Sequence, residues 1–156
     1  MAEIVRFGDL EFRSLAGGAD FGGRLGAFEV TLGPGCLAGP LHTHARDDAF
    51  SYVLEGVLTF QVGDQIIEAP PGTTVLQPRQ VRHTFWNSGT TPARALDVTR
   101  PAGLEAYYAE LSEMLDGSEA DFDRANAIGD RYGLAMDWDS LATLLTDHGL
   151  RLAATP

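Results

Sequence analysis

The chain has 156 residues, a size that suits one domain, and its 44% hydrophobic content is enough to fill a core. A net charge of −11 argues against binding a nucleic-acid backbone or an anionic membrane surface, and the absence of lysine excludes Schiff-base chemistry. Cys36 is the single cysteine, so an intrachain disulfide and a Cys–Cys zinc site are both excluded.

Residues 1–27 read as short strands broken by the turns Gly17-Gly18 and Gly22-Gly23. Ala27 to Leu32 alternates apolar and polar residues, the pattern of a half-buried strand, and Gly33-Pro34-Gly35 ends it. Strands are predicted over 49–54, 57–62, 65–68, 73–77, 81–86 and 93–99. The first of these turns at Glu55-Gly56, and Gly63-Asp64 forms a hairpin turn. Strands this short and evenly spaced suggest an antiparallel sandwich or barrel. After Pro101 the pattern becomes helical. Leu104, Tyr107, Tyr108, Leu111, Met114 and Leu115 share one face, closed at Asp116-Gly117. A second helix is expected near 122–132. A third should follow Asp139, with Asp139 or Ser140 as its cap and His148 near its end. These helices are too short and one-sided to form their own core. The reading is therefore a barrel over 1–100 and a helical extension over 101–156 within the same domain. The N-terminus lacks a basic flank before an apolar run, and no apolar stretch reaches membrane-spanning length, so the cytoplasm is the expected location.

The chemistry concentrates in Pro40-Leu41-His42-Thr43-His44. Side chains at i and i+2 of a strand share a face, so His42 and His44 aim two imidazoles at one point. His83 lies in a later apolar strand and could complete the set. Three convergent imidazoles are a nitrogen-donor metal site, and such ligands suit Fe, Ni, Zn, Cu and Co alike.

These two segments resemble the paired motifs of the cupin superfamily, in the manner of a small quercetinase-like member. The first motif reads G-x5-H-x-H-x3,4-E-x6-G. His42, His44 and Gly56 fit it, while Gly35 lies one residue too far away. The second reads G-x5-P-x-G-x2-H-x3-N. Gly72, Pro78, His83 and Asn87 fit it, and Gln80 replaces the inner glycine. The resemblance implies an all-β, double-stranded β-helix (jelly-roll) barrel with a metal-sized pocket in its mouth, carrying short C-terminal α-helices. It also implies an acidic ligand after the second histidine, but the spacing back from Gly56 lands on Ala49. Asp48 is the nearest acid and the one weak candidate for a general base. Its parity places it with Phe50, Tyr52 and Leu54, opposite Ala49, Ser51 and Val53. Three histidines without the acid still leave a divalent ion with open positions. Some dioxygenases of the resembled family use such a set.

Phe85 shares parity with His83 and is expected to line the pocket. Ser51, Phe60 and Leu76 are weaker candidates. Arg79 and Arg82 lie at the rim, where either could meet an anionic substrate. Asp47 reads as a solvated loop carboxylate, and Cys36 as packing. The face carrying Phe50, Tyr52 and Leu54, and the face carrying Trp86, both need cover from the C-terminal helices or a partner barrel. A homodimer follows from the resemblance.

The expected function is that of a metal-dependent enzyme acting on a small phenolic or enol/diketone-like molecule, most concretely a dioxygenase. The alternatives are a ligand-binding barrel without turnover, and a zinc or metal-independent isomerase, cyclase or dehydratase.

Overall fold

The computed structural model describes residues 3–115 and 121–154, so the expected Asp116-Gly117 stop lies outside the described residues. The strands are β1 (Ile4–Phe7), β2 (Leu10–Ala16), β3 (Gly26–Leu32), β4 (Cys36–Leu37), β5 (Leu41–His44), β6 (Asp48–Glu55) and β7 (Leu58–Val62). β8 (Gln65–Ala69), β9 (Thr74–Gln77), β10 (His83–Asn87) and β11 (Ala93–Arg100) complete the barrel. Helices α1 (Leu104–Leu115), α2 (Phe122–Tyr132) and α3 (Ser140–His148) follow, interleaved with β12 (Leu134–Asp137) and β13 (Arg151–Leu152).

Two sheets face each other. One runs β1-β2-β3-β11-β6-β9; the other runs β12-β5-β10-β4-β13, with β7 and β8 joined through β10. Alternation places Phe28, Val30 and Leu32 of β3, and Ser51 and Val53 of β6, inside. This is the expected jelly-roll sandwich. The extension, however, is not wholly helical. β12 pairs antiparallel with the histidine strand β5, Leu134 opposite His44 and Met136 opposite His42. β13 pairs parallel with β4. Four- and two-residue strands carry too little alternation to be seen between helices.

Helix α3 covers Trp86. The indole is buried with Leu37, Leu41 and Leu144, and His148 stacks on it at 4.4 Å. The Trp86 face is therefore covered by its own chain. Neither expected residue caps α3: Asp139 makes no side-chain cap bond, and the Ser140 hydroxyl donates to the Asp137 carbonyl while accepting the Leu41 N–H. Tyr52, Leu54 and Leu76 remain exposed on the outer face of the first sheet. Among the described residues no helix is long and apolar enough to cross a membrane.

Several motif positions have structural work. Gly56 has φ of 70°, and a Cβ there would sit 2.8 Å from the Ala93 Cβ. Buried Asn87 donates to the Leu32 and Thr91 carbonyls and accepts the Gly89 N–H, which pins the loop before β11. Gln80, standing where the motif has glycine, adopts the left-handed φ of 63°. Its N–H donates to the His44 carbonyl at 2.7 Å, so the turn is held although its residue is unsuited to it. Gln80→Gly should therefore raise the unfolding free energy by about 0.5–1 kcal/mol, the left-handed penalty less the extra entropy glycine loses on folding. Urea denaturation measures this, and unchanged or lower stability would contradict the strain argument.

Candidate metal centre

The antiparallel pairing of β10 with β5 sets His83 directly opposite His42. His44 joins them from the same face of β5. Ring centroids are 4.5 Å apart for His42–His83 and 5.2 Å for the other two pairs. One ligand nitrogen from each ring lies within 4.8 Å of the others, a group that could hold a metal ion.

Two of the rings are held from behind by hydrogen bonds. Nδ1 of His42 lies 3.0 Å from the Pro40 carbonyl, and Nδ1 of His83 lies 2.9 Å from the Val81 carbonyl. A carbonyl only accepts, so both Nδ1 atoms carry the proton and both Nε2 atoms keep a lone pair. Nδ1 of His44 lies 3.5 Å from Asp47 Oδ2, a close contact without hydrogen-bond geometry, and neither buried atom has a hydrogen-bond partner among the described residues. Asp47 is therefore not the solvated carboxylate expected; it is 7% exposed. A carboxylate behind a ligand histidine fixes its tautomer and raises its basicity. His42 and His83 are also held neutral. Burial, then the neighbouring imidazoles, push His42 well below its usual 6.5; burial brings His83 to about 4.

The acid-ligand position is empty of acid. Ala49 faces the cavity, flanked across the sheet by Gln77 and Thr99, which also face it. Asp48 turns outward onto Arg79, which holds its carboxyl at about 2. The weak candidate base thus lies outside the site. Arg79 is occupied by Asp48 and Arg82 by Asp137, so both rim arginines are already paired.

The histidines open into a cavity of about 190 Å³. Phe85 lines it as expected. Ser51, Phe60 and Leu76 do not. Phe60 is buried beneath Phe85, ring centroids 5.5 Å apart. Ser51 is buried and accepts the Gln77 amide at 2.7 Å. Leu76 is 65% exposed, because Val75 and Gln77 hold the inward parity of β9. The extension supplies the far wall, including Tyr107, Tyr108, Leu111, Met136 and Trp138. Tyr108 stacks on Phe12 at 4.0 Å, which docks α1 on the barrel. Sequence reasoning also missed Asp97 of β11. It faces the cavity as the one acid on the inward parity of Ala93, Ala95 and Thr99, a signal that was available. Burial pushes its carboxyl up to about 6, partly offset by a hydrogen bond from Ser51.

Two outcomes are expected. Asp47→Asn should weaken Zn(II) or Co(II) binding by about 10–100-fold in competition with a chromophoric chelator. Unchanged affinity would leave Asp47 a packing residue. In metal-free protein, the unfolded chain binds protons below pH 6.5 that folded His42 and His83 refuse until lower pH. Stability therefore falls as pH drops from about 6.5 towards 4, opposed in part by Asp97, which in the folded state holds its proton up to about pH 6. Thermal melts in chelator at pH 7 and pH 5 should show the lower midpoint at pH 5, and His83→Ala should narrow the gap.

The model for the cupin domain matches residues 28–99, which span both histidine segments. No curated protein matches the chain. Among solved structures, a sugar phosphate isomerase of the cupin superfamily from Silicibacter pomeroyi is similar at 29% identity and a TM-score of 0.51. The match covers 59% of this chain and 59% of that one, so the chain spans well under two thirds of that protein. An RmlC-like cupin from Shewanella frigidimarina shares 26% identity over 68% of this chain and 89% of its own, with a TM-score of 0.58. KdgF from a Halomonas species shares the fold at 19% identity, over 68% of this chain and 90% of its own, with a TM-score of 0.58. Together with the paired motifs and the two-sheet barrel, these matches place the chain in the cupin superfamily.

Proposed function

We propose that the protein is a metal-dependent enzyme. One divalent transition metal would be held by His42, His44 and His83, and the substrate would be a small, uncharged, oxygen-bearing organic molecule. The observation that carries this reading is the convergence of three imidazoles, two of them tethered through Nδ1 to backbone carbonyls, at one end of an apolar cavity. A divalent ion bound there supplies a Lewis acid with open positions for a chelating ligand. The chain supplies the rest. Phe7, Phe12, Phe85 and Trp138 exclude water and suit a planar ring. At about 190 Å³ the cavity lies below the ~300 Å³ lower end of drug-sized sites, which favours a single-ring phenol or a short enol or diketone. Dioxygenation is the most concrete reaction, because a three-nitrogen set leaves room for both a chelating substrate and O2.

Metal-assisted isomerisation is the second reading, favoured by the similarity to the Silicibacter pomeroyi sugar phosphate isomerase. A phosphorylated sugar, however, needs a cation to meet its phosphate. No arginine is among the residues lining the cavity, and the rim arginines are paired. The substrate class proposed is therefore apolar and enolic under either reaction. A second copy of the chain is proposed to cover Tyr52, Leu54 and Leu76, as a homodimer.

Protein loaded in turn with Fe(II), Ni(II), Co(II), Cu(II) and Zn(II) should bind about one equivalent, lost in His83→Ala. With catechols and 1,3-diketones, oxygen consumption that disappears in His83→Ala would support dioxygenation. Anaerobic conversion without oxygen uptake would select the isomerase reading. Failure to take up any of the five metals would overturn both.

A further inference from the structure

Among the described residues Asp97 is the one carboxyl facing this cavity. It sits on β11, directly across from Ser51 of β6. The Gln77 amide donates to Ser51 Oγ at 2.7 Å, which leaves the Ser51 proton to turn towards Asp97, its cross-strand partner. A hydroxyl that accepts from an amide turns its own proton the other way, so the chain Gln77–Ser51–Asp97 has a single direction. Asp97 lines the cavity beside that chain. No cation is among the groups acting on Asp97. Tyr108, on the extension wall, feels its negative field and is pushed well above its usual value by burial and then by Asp97. Asp97 also lies on the same wall as the vacated acid position. Thr99 is the cross-strand partner of Ala49, and Asp97 is the next inward residue along β11. Side chains diagonal across two paired strands lie within reach of a common small ligand.

We propose that Asp97 is the proton acceptor of the site, a catalytic residue that takes the acidic proton of a phenol or enol whose oxygen is held at the histidine pole. This rests on the metal-enzyme reading above. In the step, the substrate O–H bond breaks and its electron pair stays on the substrate oxygen. The proton goes to a carboxylate oxygen of Asp97. Return of that proton to a neighbouring carbon completes an isomerisation with no external oxidant, and the same deprotonated substrate is the electron-rich form that O2 would attack. Asp97 is suited to the task because it is ionised at neutral pH yet close to it, and because a new anion beside it raises its proton affinity further. Desolvation sharpens that coupling, since little water is left to screen the two charges.

The test counts protons rather than turnover. Zinc-loaded protein is titrated with catechol, a chelating phenol that is fully protonated in solution from pH 5 to pH 7, by calorimetry at pH 7 in two buffers of different ionisation enthalpy. Wild-type protein should retain the phenolic proton on Asp97. Asp97→Asn should bind zinc as well as wild type but release roughly one more proton per site to the buffer. If the variant does not fold, the wild type alone is informative: its proton release should rise by roughly one as pH is lowered from 7 to below 5, where Asp97 is already protonated. Equal proton counts for wild type and Asp97→Asn, or a wild-type count independent of pH, would overturn the role of Asp97 while leaving the metal site intact. A wild-type protein that takes up no zinc, or whose zinc form ignores the probe, would overturn the underlying reading and this one with it.

Discussion

The site depends on a single constraint: His42 and His83 turn their Nε2 lone pairs to one point because each gives its Nδ1 proton to a backbone carbonyl behind it. Without that tether a ring is free to spin, and a neutral imidazole presents either nitrogen. Pro40 and Val81 provide the oxygen through backbone carbonyls two residues before His42 and His83. The repetition is geometric. Both histidines stand at or next to the start of a strand, where the preceding turn curls its carbonyl back to the ring. His44 ends its strand and cannot use that device. It meets the buried Asp47 carboxylate instead, so the loop between β5 and β6 has an electrostatic role as well as a connecting one.

The extension completes what the barrel leaves open. β12 gives the histidine strand a partner on its outer edge, so the backbone of β5 is hydrogen-bonded on both sides. Register is then fixed twice, and a slip that would turn His42 and His44 to the other face would break both ladders. The same segment brings Leu134 and Met136 to the cavity, while α1 lays Tyr107, Tyr108 and Leu111 across it. Walling the cavity and positioning the histidines are thus two results of one packing arrangement.

The sequence made the fold and the three histidines legible because both rest on short-range patterns. Strand parity placed His42 with His44, Phe85 inward, and Ala49 on the metal side with Asp48 turned away. Parity misled at Leu76 only because the start of that strand was open, and one residue decides which of Leu76 and Gln77 faces in. Asp97 obeyed the same rule and was overlooked as one acid in a mostly apolar strand. What no local pattern could show was long-range: that Asp47 sinks beneath His44, that Arg79 claims Asp48, and that four residues after α2 join the histidine strand. Gln80 is a different case. The motif asks for glycine, and the structure shows why, since the backbone keeps the left-handed turn with the wrong residue in it.

The missing acid at Ala49 changes the electrostatics of the whole cavity. A divalent ion on three neutral imidazoles carries its full charge into apolar surroundings, where an uncompensated charge is costly. Asp47 offsets part of that charge, but from behind a ring. The remaining compensation must come from what binds in front. A neutral phenol or enol can supply it only by becoming an anion, and its proton then needs somewhere to go. Asp97 is the carboxyl on that wall, already ionised at neutral pH and backed by Ser51 and Gln77. Removing an acid from the ligand set and placing one across the strand pair therefore have a combined effect. The proton transfer then moves a negative charge from Asp97 to the substrate oxygen at the histidines, with the total charge of the cavity unchanged.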